Sequence, residues 1–199
     1  MASQITHIVY GKKIFDRIGG HDWHDFVIGT VFPDIRYIAK LKRDDTHIYN
    51  TSEDQIPRNN SFNAGFYTHC FVDEKRESLL ASYGLYNLIP RDYLHVTAVK
   101  LLEDTITYPL FNDWKSICQI LKDISEEEKT YGVSHEVIRG WHDELSNYME
   151  KGPSEELWES LLTDIEIPSV TAKQIATLAS SFTAEEKICD MIREVYKAI

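Results

Sequence analysis

Cysteine is scarce in this chain, and the three present, Cys70, Cys118 and Cys189, are far apart, odd in number and set among apolar neighbours. No C-x-x-C pair occurs, which argues against a disulfide framework or a thiolate zinc site and for buried free thiols. Positive charge is also short. The 21 Lys and Arg face 32 Asp and Glu, for a net charge of −11. Long-range repulsion would then oppose broad binding to nucleic acid or to an anionic membrane. An anionic substrate at a metal centre is still allowed, because a bound cation reverses the local sign. No stretch approaches the roughly 20 apolar residues of a membrane span. The N-terminus, Met1 to His7, lacks the basic and apolar regions of a signal peptide, which predicts a cytoplasmic protein. Hairpin signals, β-alternation, a P-loop, a Ser-His-Asp elbow and a dinucleotide fingerprint are all missing.

The remaining features suit a helical globule. With 43% hydrophobic and 27% charged residues, 199 residues can bury one sizeable core. The expected fold is an all-α, multi-helix bundle in a single domain, 1–199. Its first part, 1–110, would carry a metal site at the mouth of the bundle, and 111–199 would add further helices. Apolar periodicity and caps predict helices at 5–19, 21–30, 34–43, 61–88, 91–111, 113–124, 126–150, 154–164, 171–181 and 183–198. Capping boxes are expected at Ser125–Glu128, Thr171–Gln174 and Thr183–Glu186. Gly152-Pro153-Ser154 reads as a helix stop followed by a new N-cap. The polar stretch from Asp44 to Ser61 is the one long loop, and loops of that length are often functional.

The chemistry concentrates in a few histidines and acids. His69 and Asp73 are four apart on a predicted helix, so both project from one face, one turn apart, which suits a shared ion or a plain hydrogen-bonded pair. Gly65, a turn earlier on that face, leaves room for another helix or a ligand. Asp34 follows Phe32-Pro33 and could equally be a capping residue; His47 follows Thr46 in the long loop; His7 precedes Gly11 by one turn. A basic cluster, Arg36, Lys40, Lys42 and Arg43, stands before His47 and could orient a phosphate-bearing substrate or merely complement a helix C-terminus. His21, Asp22, His24 and Asp25 suggest a local metal cluster or an HD-like doublet, but read better as a cap. His135 and His142 fall on one helical face, best read as solvated.

In order, the residues spell T-H-x-x-x-G, F-P-D, T-H and G-x-x-x-H-x-x-x-D. The segments Thr6 to Gly11, Val27 to Asp34, Thr46-His47 and Ala64 to Asp73 together resemble the zinc-dependent phospholipase C family. That family includes phospholipase D-like relatives acting on glycosylphosphatidylinositol anchors, and it is more distantly similar to fungal single-strand nucleases. The likeness covers roughly the first 75 residues. It implies that Asp34, His47, His69 and Asp73 bind one metal, and that His7 binds a second, with Asp73 bridging. It also implies a free N-terminal amine as a further ligand. Imidazole and carboxylate suit Zn, as one or two ions, and tolerate Fe or Mn. Two such ions can clamp a phosphoryl group and activate water, so the implied activity is hydrolysis of a small anionic phosphoester by metal-bound hydroxide. The chain departs from the three-metal relatives. Asp73 is followed by Glu74 to Leu79 without a histidine, and His95 has Val99 four residues on where an acid is expected. His95 with Glu103 or Asp104 could still line the site. The expectation is therefore weak turnover of phosphatidylcholine beside cleavage of a small activated phosphoester. The alternatives are a non-catalytic helical protein with a structural metal and an HD-type mixed-metal oxygenase.

Overall fold

The structure is a computed structural model that describes residues 4–199. Among the described residues it is all helical, with no strand. The first four long helices are α1 (Gln4–Ile18), α2 (Trp23–Val31), α5 (Ser61–Ser82) and α6 (Tyr93–Thr107). The connection from α2 to α5 holds two single-turn helices, α3 (Arg36–Ala39) and α4 (Arg43–Thr46). The chain then runs through α7 (Trp114–Ile120), α8 (Glu126–Lys129), α9 (His135–Lys151), α10 (Glu155–Asp164), α11 (Ser169–Phe182) and α12 (Glu186–Ala198). No helix among the described residues is long and apolar enough to cross a membrane.

The first half of α5 is buried on every side, through Phe62, Ala64, Gly65, Phe66, Tyr67, Thr68, His69, Cys70 and Val72. A helix apolar all round belongs inside a domain, and α5 is the central rod of this one. Its main neighbour is α2. The two approach closely because glycines face each other's backbone. A Cβ on Gly65 would lie 2.0 Å from the Phe26 carbonyl oxygen, and one on Gly29 would lie 2.0 Å from that of Phe62. Among the later helices, α11 bridges α6 and α10, and it places Ala172, Ile175, Ala176 and Ala179 in the core.

Several expected boundaries move. The helix expected at 34–43 is broken: Phe32–Ile35 is a tight 3₁₀ turn with proline in its first turn, and Lys40 takes a left-handed conformation that ends α3. The helix expected at 126–150 is interrupted, with Gly132 at a φ of +73° between α8 and α9. The capping box at Ser125 forms, since the Ser125 Oγ accepts from the Glu128 N–H and the Glu128 carboxylate accepts from the Ser125 N–H. The boxes at Thr171 and Thr183 do not form. Helix α11 starts ahead of Thr171, at Ser169, and Thr183 closes α11 with its hydroxyl donating to the Ser180 carbonyl. Gly152 and Ser154 act as expected, as stop and N-cap.

Candidate metal centre

Five side chains widely separated in sequence converge at one end of α5. His7 comes from α1, Asp34 from the 3₁₀ turn after α2, His47 from the residue after α4, and His69 and Asp73 from successive turns of α5. His7 Nε2 lies 3.3 Å from Asp73 Oδ1, and His47 Nε2 lies 3.7 Å from Asp73 Oδ2 and 3.9 Å from Asp34 Oδ1. His69 Nε2 lies 3.9 Å from Asp34 Oδ2 and 4.0 Å from Asp73 Oδ2. The rings of His7 and His69 stack with centroids 3.8 Å apart, and His47 stands edge-on to His69. All three histidines and Asp34 are buried, while Asp73 keeps one side open. Two triads, His7/Asp34/His69 and His47/His69/Asp73, each hold their ligand atoms within 4.8 Å of one another.

Local structure explains the aim of each ring. The His69 Nδ1–H donates to the Thr30 carbonyl oxygen at 2.9 Å, so in the neutral ring Nε2 carries the lone pair and faces the carboxylates. The His47 Nδ1 is paired with the Thr46 hydroxyl at 3.1 Å. The loop that carries His47 is pinned to α5 twice. Cys70 Sγ accepts from the Ile48 N–H, and the Glu74 carboxylate accepts from the backbone N–H groups of Asn50 and Thr51 and from the Thr51 hydroxyl. Gln4 Nε2 donates to Asp34 Oδ2 at 2.7 Å.

The residues present fit a metal ion. The buried Nε2 atoms of His47 and His69 have no hydrogen-bond partner although they face two carboxylates. Burial, with His7 alongside, lowers the His69 pKa to about 3, so its ring is neutral and ready to ligate at pH 7. Burial alone would raise the Asp34 carboxyl, but its histidine neighbours bring it down to about 2. Asp73 is likewise held well below the usual carboxylate range, against its burial, by the adjacent His47, His7 and His69 rings. Two anionic carboxylates facing the neutral His69 ring are what a divalent ion requires. Cys70, also adjacent, is pushed up to about 12 by burial and stays a thiol outside this set.

Of the expected accessory residues, Arg43 reaches the centre, with Nη2 3.2 Å from Asp73 Oδ2. Arg36 stacks over Tyr37, with Nε 3.8 Å from Asp34 Oδ1. His95 does not join them. Its ring pairs at 2.8 Å with Asp92, the N-cap of α6, and sits near Phe182. Glu103 and Asp104, considered as its partners, form instead a buried network with Tyr10, Arg76, Thr6 and Tyr148. Lys40 pairs with Glu166, and Lys42 is the N-cap of α4, its backbone N–H donating to the Asp45 carboxylate. Asp22 is the N-cap of α2, as its sequence context suggests, and His24 bridges Asp25 and Asp123. His142 is buried against Glu128 and so is not on a solvated face. The expected N-terminal amine ligand falls outside the described residues.

Sequence reasoning missed what adjoins the centre. A cleft of about 360 Å³ opens beside Asp73, lined by Arg43, Arg76, Arg91 and Lys100 as well as by Glu74 and Glu77. The available signal was the four-residue spacing of Val96 and Lys100, which puts both on the cleft face of α6. No protein-family model matches this chain, and no curated protein or solved structure matches it at a significant level.

Proposed function

We propose that this protein is a metal-dependent hydrolase of phosphoesters, related to the zinc-dependent phospholipase C family through the ordered residues of its first 75 positions. Zinc is the ion that the His and Asp donors suit best, as one or two ions, with Fe or Mn also accommodated. The carrying observation is the pair of unpartnered, buried Nε2 atoms of His47 and His69 facing Asp34 and Asp73. When bound, the ion would supply Lewis acidity, activating water and neutralising phosphoryl charge.

The chain's own residues supply the rest. His69, locked by Thr30, and His47, braced by Thr46, present fixed donors with little reorganisation. Asp73 stands at the boundary between the buried centre and the open cleft, so substrate would approach on its side. Arg43, next to it, holds Asp73 with one nitrogen and would turn other N–H donors of its guanidinium, which carries five, to non-bridging phosphoryl oxygens. The overall reaction adds water across the P–O ester bond: the water oxygen joins phosphorus, and the leaving alcohol takes a proton.

Metal analysis of untagged protein, followed by assay on an activated aryl phosphate and on phosphatidylcholine, tests this reading. The expected result is bound zinc, cleavage of the aryl phosphate, weak turnover of the lipid, and loss of both metal and activity in Asp73→Ala. Protein that retains no metal after purification and reloading would overturn it. Full metal occupancy with no phosphoester cleavage would leave a structural metal centre.

A further inference from the structure

The cleft beside Asp73 carries four cationic side chains, but they differ in what they already hold. Arg76 is buried and bound to Glu103. Arg91 is paired with Glu77 at 3.1 Å and lies over the Tyr86 ring. Arg43 holds Asp73 with one of its nitrogens. Lys100 is half-buried and makes no hydrogen bond or ion pair with any other described residue. The acids of the cleft are similarly spoken for. Glu74 is saturated by the Asn50–Thr51 backbone and the Thr51 hydroxyl. Glu77 takes Arg91 and the Tyr86 hydroxyl. A half-buried ammonium with no partner is costly to keep in a protein wall, and here it lines the same cleft as a candidate metal ligand.

We infer that this cleft is a phosphate pocket in which Lys100 and Arg43 grip the non-bridging oxygens of a phosphomonoester dianion. The inference rests on the hydrolase reading above and names its substrate class. Lys100, without an ion-pair partner, and Arg43, shared with Asp73, set two cations beside the two negative charges of a monoester. A diester carries one charge and needs an exit for a second ester arm. Lysine serves as a point charge for phosphate, while the arginine fork fixes orientation. A volume of about 360 Å³ admits a small phosphorylated compound. Preorganised cations beside the reacting group also stabilise charge that develops in the transition state.

The test is calorimetric titration with inorganic phosphate, on zinc-loaded and on chelator-stripped protein, of wild type, Lys100→Met and Lys100→Arg. The Met variant keeps the apolar stem, and the Arg variant keeps the charge. Loss of one charge-assisted contact should weaken phosphate binding about tenfold or more in Lys100→Met, with Lys100→Arg restoring most of it. On zinc-loaded enzyme, Lys100→Met should raise KM for an aryl phosphomonoester by a larger factor than for a diester. Should Lys100→Met not fold, acylation of wild-type lysines read by mass spectrometry replaces it, and phosphate should protect Lys100 selectively. Unchanged phosphate affinity in Lys100→Met, or an unprotected Lys100 in both metal states, would overturn the inference. The two failures are separable. Phosphate binding through Lys100 in a protein that takes no metal defeats only the hydrolase reading, whereas phosphoester turnover indifferent to Lys100 defeats only this one.

Discussion

His69 donates its Nδ1–H to the carbonyl oxygen of Thr30 at 2.9 Å, and that bond joins the candidate metal centre to the most extensively packed helix pair among the described residues, α2 and α5. The Thr30 carbonyl can reach the ring only because α2 and α5 are in near backbone contact, and Gly29 and Gly65 make that contact possible. Gly65 precedes His69 by one turn on the same face. Core packing and ligand orientation are therefore one geometric fact.

Gly65→Ala should accordingly damage both. Its Cβ would meet the Phe26 carbonyl at 2.0 Å, and backbone cannot move aside as a flexible side chain can. Overpacking of this kind costs about 3 kcal/mol, with larger values when backbone must shift. Urea unfolding should show the loss directly, and zinc affinity should fall because the ring loses its anchor. A Gly65→Ala protein as stable as wild type would show that α2 and α5 can separate freely.

Much of the helical architecture was legible because it depends on local signals: apolar periodicity in α1 and α12, and caps at Ser125 and at Gly152-Pro153-Ser154. What failed were breaks fixed by backbone conformation rather than by composition. Lys40 enters the left-handed region, where a lysine gives no warning, and Gly132 does so inside a stretch rich in helix formers. The five converging residues were legible as an ordered set, but nothing local said that the His47 loop would be tied down by Glu74. The cleft was invisible for a plainer reason. Its cations come from α5, α6 and the connections before them, and only tertiary packing shows which ones already have partners.

Orientation around the centre should be measurable as metal affinity. Asp73 faces all three histidines, so Asp73→Ala should lose more zinc than substitution of any other member of the set. Gln4 contacts the centre through Asp34, to which it donates at 2.7 Å. Removing such a supporting hydrogen bond lowers metal affinity by about 10–100-fold, and Gln4→Leu, of similar volume, should do so without unfolding the protein. Competition against a zinc chelator gives both numbers. A Gln4→Leu affinity equal to wild type would mean that Asp34 is not a ligand or is held in place by other groups.

Beneath the cleft, Arg76 and Glu103 form a buried ion pair that also takes in the Tyr10 hydroxyl, at 3.3 Å from Glu103. Breaking a buried pair by removing one partner leaves an uncompensated charge and costs about 3–5 kcal/mol. Arg76→Met should cost that much in chemical denaturation, whereas Arg91→Met, at the exposed rim, should cost less than about 1 kcal/mol. Equal losses for the two would show that burial does not separate them.

Acid stability offers the most discriminating test, because two buried groups pull in opposite directions over the same pH range. His69 has its pKa lowered from 6.5 to about 3 by burial. The folded state then binds fewer protons than the unfolded state across that interval, and His69 makes the protein lose stability as pH falls below 6.5. Asp104 is raised from 3.8 to about 7, again by burial, against hydrogen bonds from Thr6 and Tyr148. Here the folded state binds the extra proton, so stability increases as pH falls from 7 to 4. Each contribution is on the order of a few kcal/mol, and in chelator-stripped wild type they should largely cancel between pH 4 and 6.5. Asp104→Asn should expose the histidine slope and become progressively less stable on acidification. His69→Asn should do the reverse and gain stability over the same interval. Urea midpoints at three pH values within the range are enough to read both slopes. An Asp104→Asn profile no steeper than that of wild type would mean that the Asp104 carboxyl is not raised inside the fold, its three donors matching or outweighing the cost of burial.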